Sequence, residues 1–203
     1  MGLDYSILCF FKEQDPWQIL DGVAAFADHG LKKHTAIQYP DQIMRLPFEA
    51  WAGTETNGPI PHDDKAKSWE FMTSLLFEKD EFVSDYADHY DLDEGSEQKH
   101  VSIGYIYLSV YRNWKGYDDS YDPGLILLQF AAASSNMSLL LAQSQAVRKP
   151  FIQLLENYRG LYGVIDNEMD GILFWHRNKV MDVRIPDAWG SLKEIDDYLD
   201  RYG

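Results

Sequence analysis

Two apolar runs, Val101 to Tyr111 and Leu125 to Ala132, constrain this chain more than any other feature in it. Both are dense in β-branched and aromatic residues, and the stretch between them, Asn113 to Gly124, ends in an Asp-Pro-Gly turn signal. Together they predict a long β-hairpin. Ile106, Leu108 and Val110 alternate with Tyr105, Tyr107 and Tyr111, so neither face reads as polar, and the pair is expected at the centre of a sheet covered on each side.

Other segments supply the partners of such a hairpin. Tyr5 to Phe11 is an apolar strand, and short strands are expected around His34 to Tyr39 and Ile43 to Trp51, flanking the turn signal Pro40-Asp41. Three more are expected near Leu161 to Ile165, Gly171 to His176 and Val180 to Ile185. Helix signals fall between these. Asp15 can cap a helix with Pro16 in its first turn, Ile19, Leu20, Val23 and Ala27 on one face, and Gly30 where a left-handed terminator belongs. From Asp63 or Asp64 the spacing of Trp69, Met72, Leu76, Val83, Tyr86 and Tyr90, widened by Phe71, Leu75 and Phe82, predicts one long helix. Ser134 or Ser135 can cap a helix to about Leu155 that Pro150 should kink or split near Lys149. Ser191-Leu192-Lys193-Glu194 forms a capping box for a last helix with Leu192, Ile195, Tyr198 and Leu199 on its buried side.

Hairpins outnumber strand-helix-strand crossovers in this order, which places the chain in the α+β class: an antiparallel-rich sheet, or sheets, with helices packed on one face. The expected organisation is a β-α-β-β unit over 1–60, a long helix and acidic loop over 61–100, and a β-β-α-β-β-β-α unit over 101–203, in one compact domain or two closely packed ones. The turn formers of 53–61 mark a possible boundary. With 203 residues, 45% hydrophobic and 14% aromatic, the chain can bury a core without disulfides or metals.

Charge narrows the partners. The formal net charge is −15, from 33 acidic and 18 basic side chains. That disfavours nucleic acid and anionic membrane surfaces, which need phosphate neutralised, and favours a basic protein. The excess is concentrated: residues 1 to 100 hold 20 Asp/Glu against 8 Lys/Arg, residues 101 to 160 hold 4 against 5, and Asp80 to Glu97 has eight carboxylates with no Lys or Arg. Cys9 sits alone in an apolar run, which reads as an inert thiol in a reducing, cytoplasmic compartment. Met1-Gly2-Leu3-Asp4-Tyr5-Ser6 satisfies the short myristoylation pattern, yet the acidic neighbourhood lacks the second anchoring signal. No stretch has the length or charge pattern of a signal peptide or a membrane span.

Local catalytic and metal signatures do not stand up. A calcium loop begun at Asp166 places Glu168, Asp170 and Gly171 correctly and then puts Arg177 at its twelfth position. The six histidines show no zinc spacing, and neither a Gly-x-Ser-x-Gly elbow nor a phosphate-binding glycine loop occurs. No metal and no cofactor is expected. Asp85, Asp88, His89 and Asp91 share a helix end, where solvated acids are the ordinary expectation.

The candidate binding residues are therefore the aromatics and acids of the hairpin tip, Trp114, Tyr117, Asp118, Asp119 and Tyr121, together with the acidic stretch Asp88, Asp91, Asp93 and Glu94. The tip either projects as a recognition loop or folds back onto the sheet. The leading functional expectation is a non-enzymatic protein-binding chain whose acidic surface meets a basic partner, as an inhibitor or immunity-type protein does. The alternative is an enzyme or small-ligand protein with a pocket near the 101–132 hairpin.

Overall fold

A computed structural model of the chain describes residues 2–12, 14–30, 33–51, 54, 58–92, 99–114, 124–186 and 192–202. The expected hairpin is its spine. β7 (His100–Arg112) and β8 (Leu125–Ala132) pair antiparallel with Leu108 opposite Phe130 and Val110 opposite Leu128. β1 (Ser6–Lys12) adds beside β8, Cys9 opposite Leu128, and its other edge takes β9 (Tyr162–Asp166). β10 (Asp170–His176) and β11 (Lys179–Pro186) extend that side, while β6 (Ser68–Glu78) and β4 (Glu49–Trp51) extend the other. The result, in the order β11-β10-β9-β1-β8-β7-β6-β4, is one eight-stranded antiparallel sheet. The N-terminal and C-terminal parts of the chain thus share a sheet, with β1 as the seam. A small second sheet, in the order β3-β2-β5, comes from β2 (Thr35–Gln38), β3 (Ile43–Leu46) and β5 (Ile60–Pro61).

One face of the large sheet carries Ile7, Cys9, Phe11, Phe71, Leu108, Leu128 and Phe130, all fully buried. Against them pack α1 (Pro16–Ala24), α2 (Glu81–Tyr90), α3 (Ser135–Gln143) and α4 (Gln145–Asn157). Phe151 of α4 lies at the centre, its ring 4.8 Å from Phe130 and 5.6 Å from Phe26. The alternate residues, Leu8, Phe10, Leu127, Val164 and Leu173, point the other way and are covered by Leu192 and Ile195 of α5 (Leu192–Tyr202). The architecture is α+β, with four helices on one face and the last helix on part of the other.

Residues 68–90 correct the single long helix expected from 63 onward. They form a strand and then a helix, because Trp69, Phe71, Thr73, Leu75 and Phe77 are buried at every second position and pair with β7, Phe71 opposite Leu108. A short apolar run satisfies both periods, and the neighbouring strand decides between them. The helix begins only at Asp80, whose side chain accepts from the Val83 amide at 2.9 Å. The 135–157 segment also breaks elsewhere than expected. Ser144 (ψ 125°) ends α3 and caps α4, and Pro150 lies inside α4. Nor does Gly30 end α1, which stops at Ala24 so that Phe26 O and the Asp28 amide can bond the Leu76 amide and Ser74 O, each at 2.8 Å. Finally, β7 is not covered on both faces: Tyr105 and Tyr107 remain 53% and 39% exposed. α5 packs over the β11-β10-β9-β1-β8 part of this face, and among the described residues no helix covers the outer face of β4, β6 and β7.

Candidate functional site

The acidic end foreseen in the sequence is α2, and a pair of caps positions it. Asp80 Oδ1 caps α2, while Oδ2 accepts from Ser144 Oγ at 2.7 Å and from the Ala146 amide at 3.1 Å. One carboxylate therefore holds the N-termini of α2 and α4 together, and although burial alone opposes its charge, these hydrogen bonds lower its pKa. At the far end Asp91 adopts the left-handed conformation (φ 53°), and the Leu92 amide returns to Ala87 O at 2.9 Å.

Only Val83 and Ala87 of α2 are buried. The rest of its apolar side faces a cleft of about 410 Å³ between α2 and α3, lined by Phe82, Tyr86, Tyr90, Leu139 and Leu140 with Asp85, His89, Asn136 and Gln143. Phe82, Tyr90 and Leu139 are 42%, 42% and 40% exposed, an unusual density of large apolar side chains on two adjacent helices. The walls are held. Tyr86 O–H donates to Ile103 O at 3.2 Å, Asn136 Nδ2 donates to Tyr90 Oη at 2.8 Å, and the Tyr86 and Tyr90 rings lie 4.8 Å apart. Burial raises the Tyr86 phenol, which stays a neutral donor. Glu81, Asp85, Asp88 and Asp91 are exposed along α2, and neither α2 nor α3 contains a Lys or Arg. The carboxylates of Asp85, Asp88 and Asp91 make no ion pair among the described residues.

The sequence candidates divide accordingly. Asp88 and Asp91 are exposed at the C-terminal end of α2. Trp114 is half-buried against the sheet, its ring edge-on to Phe10 at 5.1 Å, so it folds back and is separated from α2 by the thickness of the sheet. Tyr117, Asp118, Asp119, Tyr121, Asp93 and Glu94 lie outside the described residues. Phe82 reads as core in the sequence and is exposed here, and the sequence places neither Leu139 nor Asn136 in a binding site. A signal for Leu139 existed in the run Leu139-Leu140-Leu141, because three successive helical residues sweep about 200° and one stripe cannot bury them all.

Outside the cleft, Cys9, Glu78 and Tyr162 are each shifted well away from their ordinary values. Burial pushes the Cys9 thiol up. Lys149 and Lys99 bond Glu78 and hold its carboxyl down at about 2. Tyr162 is pushed up to about 12, first by burial and then by donating to Asp196 Oδ1 at 2.7 Å. Asp196 also accepts from Arg177 at 2.6 Å and faces His176 Nε2 at 3.1 Å, which pins α5 to β9 and β10. Among the described residues no three or more His, Cys, Asp or Glu are grouped as a metal site, and no helix is long and apolar enough to cross a membrane. In comparisons with known proteins, no family model, no curated protein and no solved structure matches the chain.

Proposed function

We propose that this chain is a non-enzymatic, cytoplasmic protein-binding protein that receives a basic partner in the α2–α3 cleft, in the manner of an inhibitor or immunity-type protein. The observation that carries this reading is an exposed Phe82-Tyr90-Leu139 surface with Asp85 in the cleft wall, Glu81, Asp88 and Asp91 exposed on or at the end of the same helix, and no Lys or Arg on either helix. Apolar anchors surrounded by like charges combine desolvation at the centre with steering at the rim, which gives fast, salt-sensitive association. The net charge of −15 extends the same field over the molecule.

A photo-crosslinking residue at Phe82 tests the proposal. It should capture a basic protein whose affinity, measured with purified components, falls as salt rises and falls at least tenfold when Asp85→Lys and Asp88→Lys are combined. A captured partner that binds the charge-reversed variant equally well, or with salt-independent affinity, overturns it.

A further inference from the structure

The open half of the sheet's second face, on the opposite side from α2 and α3, has its own chemistry. In one row across the strands Trp51 stands opposite Glu70 and Glu70 opposite Ser109; in the next, Glu49 stands opposite Met72 and Met72 opposite Tyr107. Cross-strand partners share a face. Trp51 and Tyr107, 45% and 39% exposed, bring their rings to 6.2 Å at a 46° tilt, and Tyr105 projects from the same face two residues before Tyr107. Ser109 Oγ donates to Glu70 Oε2, which holds the carboxylate on this face in the same cross-strand row as Trp51.

Exposed rings tilted toward each other, with a held carboxylate on the same face, suit a delocalised cation: the ring quadrupoles attract it and the carboxylate takes its N–H donors. The protein already places a cation at this edge. Lys33, itself 72% exposed, reaches Glu49 on the same face, with Tyr105 close enough to act on its charge. Glu49 is thereby neutralised, and Glu70 is left as the acid of the platform. Arginine suits it better than lysine, because a planar guanidinium stacks on a ring while its edge bonds a carboxylate.

We infer that Trp51, Tyr105, Tyr107 and Glu70 form a binding site for an arginine side chain presented by a polypeptide. The site stands apart from the α2–α3 cleft, and the sheet separates the two, so each fails or survives by itself.

The test uses a tetra-arginine peptide, its tetra-citrulline counterpart, which keeps the shape without the charge, and a neutral cello-oligosaccharide, with NMR shifts of the Trp51 indole and the Tyr107 ring as readout. The arginine peptide should move both signals saturably, and its affinity should fall about threefold to thirtyfold in Trp51→Ala and in Glu70→Gln, while Asp85→Asn with Asp88→Asn leaves those shifts unchanged. Shifts confined to α2, an undiminished affinity in Trp51→Ala, or equal binding of citrulline or the oligosaccharide overturns the inference. Loss of binding at the α2 cleft alone would instead sink the proposed function and leave this site standing.

Discussion

Asp80 offers the sharpest test of how the acidic helix is built. Its two oxygens serve two helices, Oδ1 the α2 N-terminus and Oδ2 the Ser144 hydroxyl and Ala146 amide that begin α4. Removing a single N-cap costs about 1 kcal/mol, and hydrogen bonds to a charged group are worth about 1.5–3 kcal/mol when well formed. Asp80 is only partly buried, so the lower part of that range applies, and Asp80→Ala is expected to destabilise by about 2–3 kcal/mol. For a chain of this size that is a fall in Tm of about 4–12 °C. Asp80→Asn keeps one oxygen as acceptor and should lose about half as much. The sign with pH follows from the lowered pKa. The carboxylate's contribution is fully present above the unfolded-state value, about 3.9, and disappears as pH falls through the still lower folded value. Urea unfolding followed by far-UV circular dichroism, from pH 7 down to pH 3 and below, measures both effects. The wild type's advantage over Asp80→Asn should be level at neutral pH and shrink in acid. An Asp80→Ala variant within about 0.5 kcal/mol of wild type, a threshold set below one cap's worth, or an advantage that does not change with pH, refutes the double cap.

Two further outcomes follow from the packing and the charges. Gly163 lies where α4 crosses β9, and a methyl there would come within 2.6 Å of both Leu155 Cδ1 and Phe174 Cε2. Gly163→Ala should therefore cost about 1–3 kcal/mol in the same unfolding assay, whereas Gly58→Ala, with no atom within 4 Å of the new methyl, should be near neutral. By carboxyl NMR Glu78 should titrate at about 2, held there by its bonds to Lys149 and Lys99; Lys149→Ala should raise that value toward the ordinary glutamate range, and an unmoved titration would show that Lys149 does not hold it.

Much of the architecture is written locally. The 101–132 hairpin, the Asp15-Pro16 helix start, the three C-terminal strands and the amphipathic last helix each have a period or a cap that neighbours do not contradict, and all appear where the sequence places them. Residues 68–78 do not, because their apolar positions fit a helix nearly as well as a strand, and only pairing with β7 selects period two. Pro150 misleads in the opposite way: it lies inside α4 without ending it, and the chain breaks instead at Ser144, where Asp80 supplies a partner from more than sixty residues away.

The candidate site shows the same division. Acidity along 80–97 is visible in the composition, and that a helix end would present it follows from the Val83, Tyr86 and Tyr90 spacing. That Phe82, Tyr90 and Leu139 are left uncovered depends on where α3 lies against α2, which no local pattern encodes. Tyr105 and Tyr107 depend likewise on how far α5 reaches over the second face. By itself the sequence determined the charge, the class and most elements, since these arise from the residues and their near neighbours. Tertiary structure decided which apolar side chains meet water, because exposure belongs to the surfaces that other elements leave uncovered and not to the side chain that carries it.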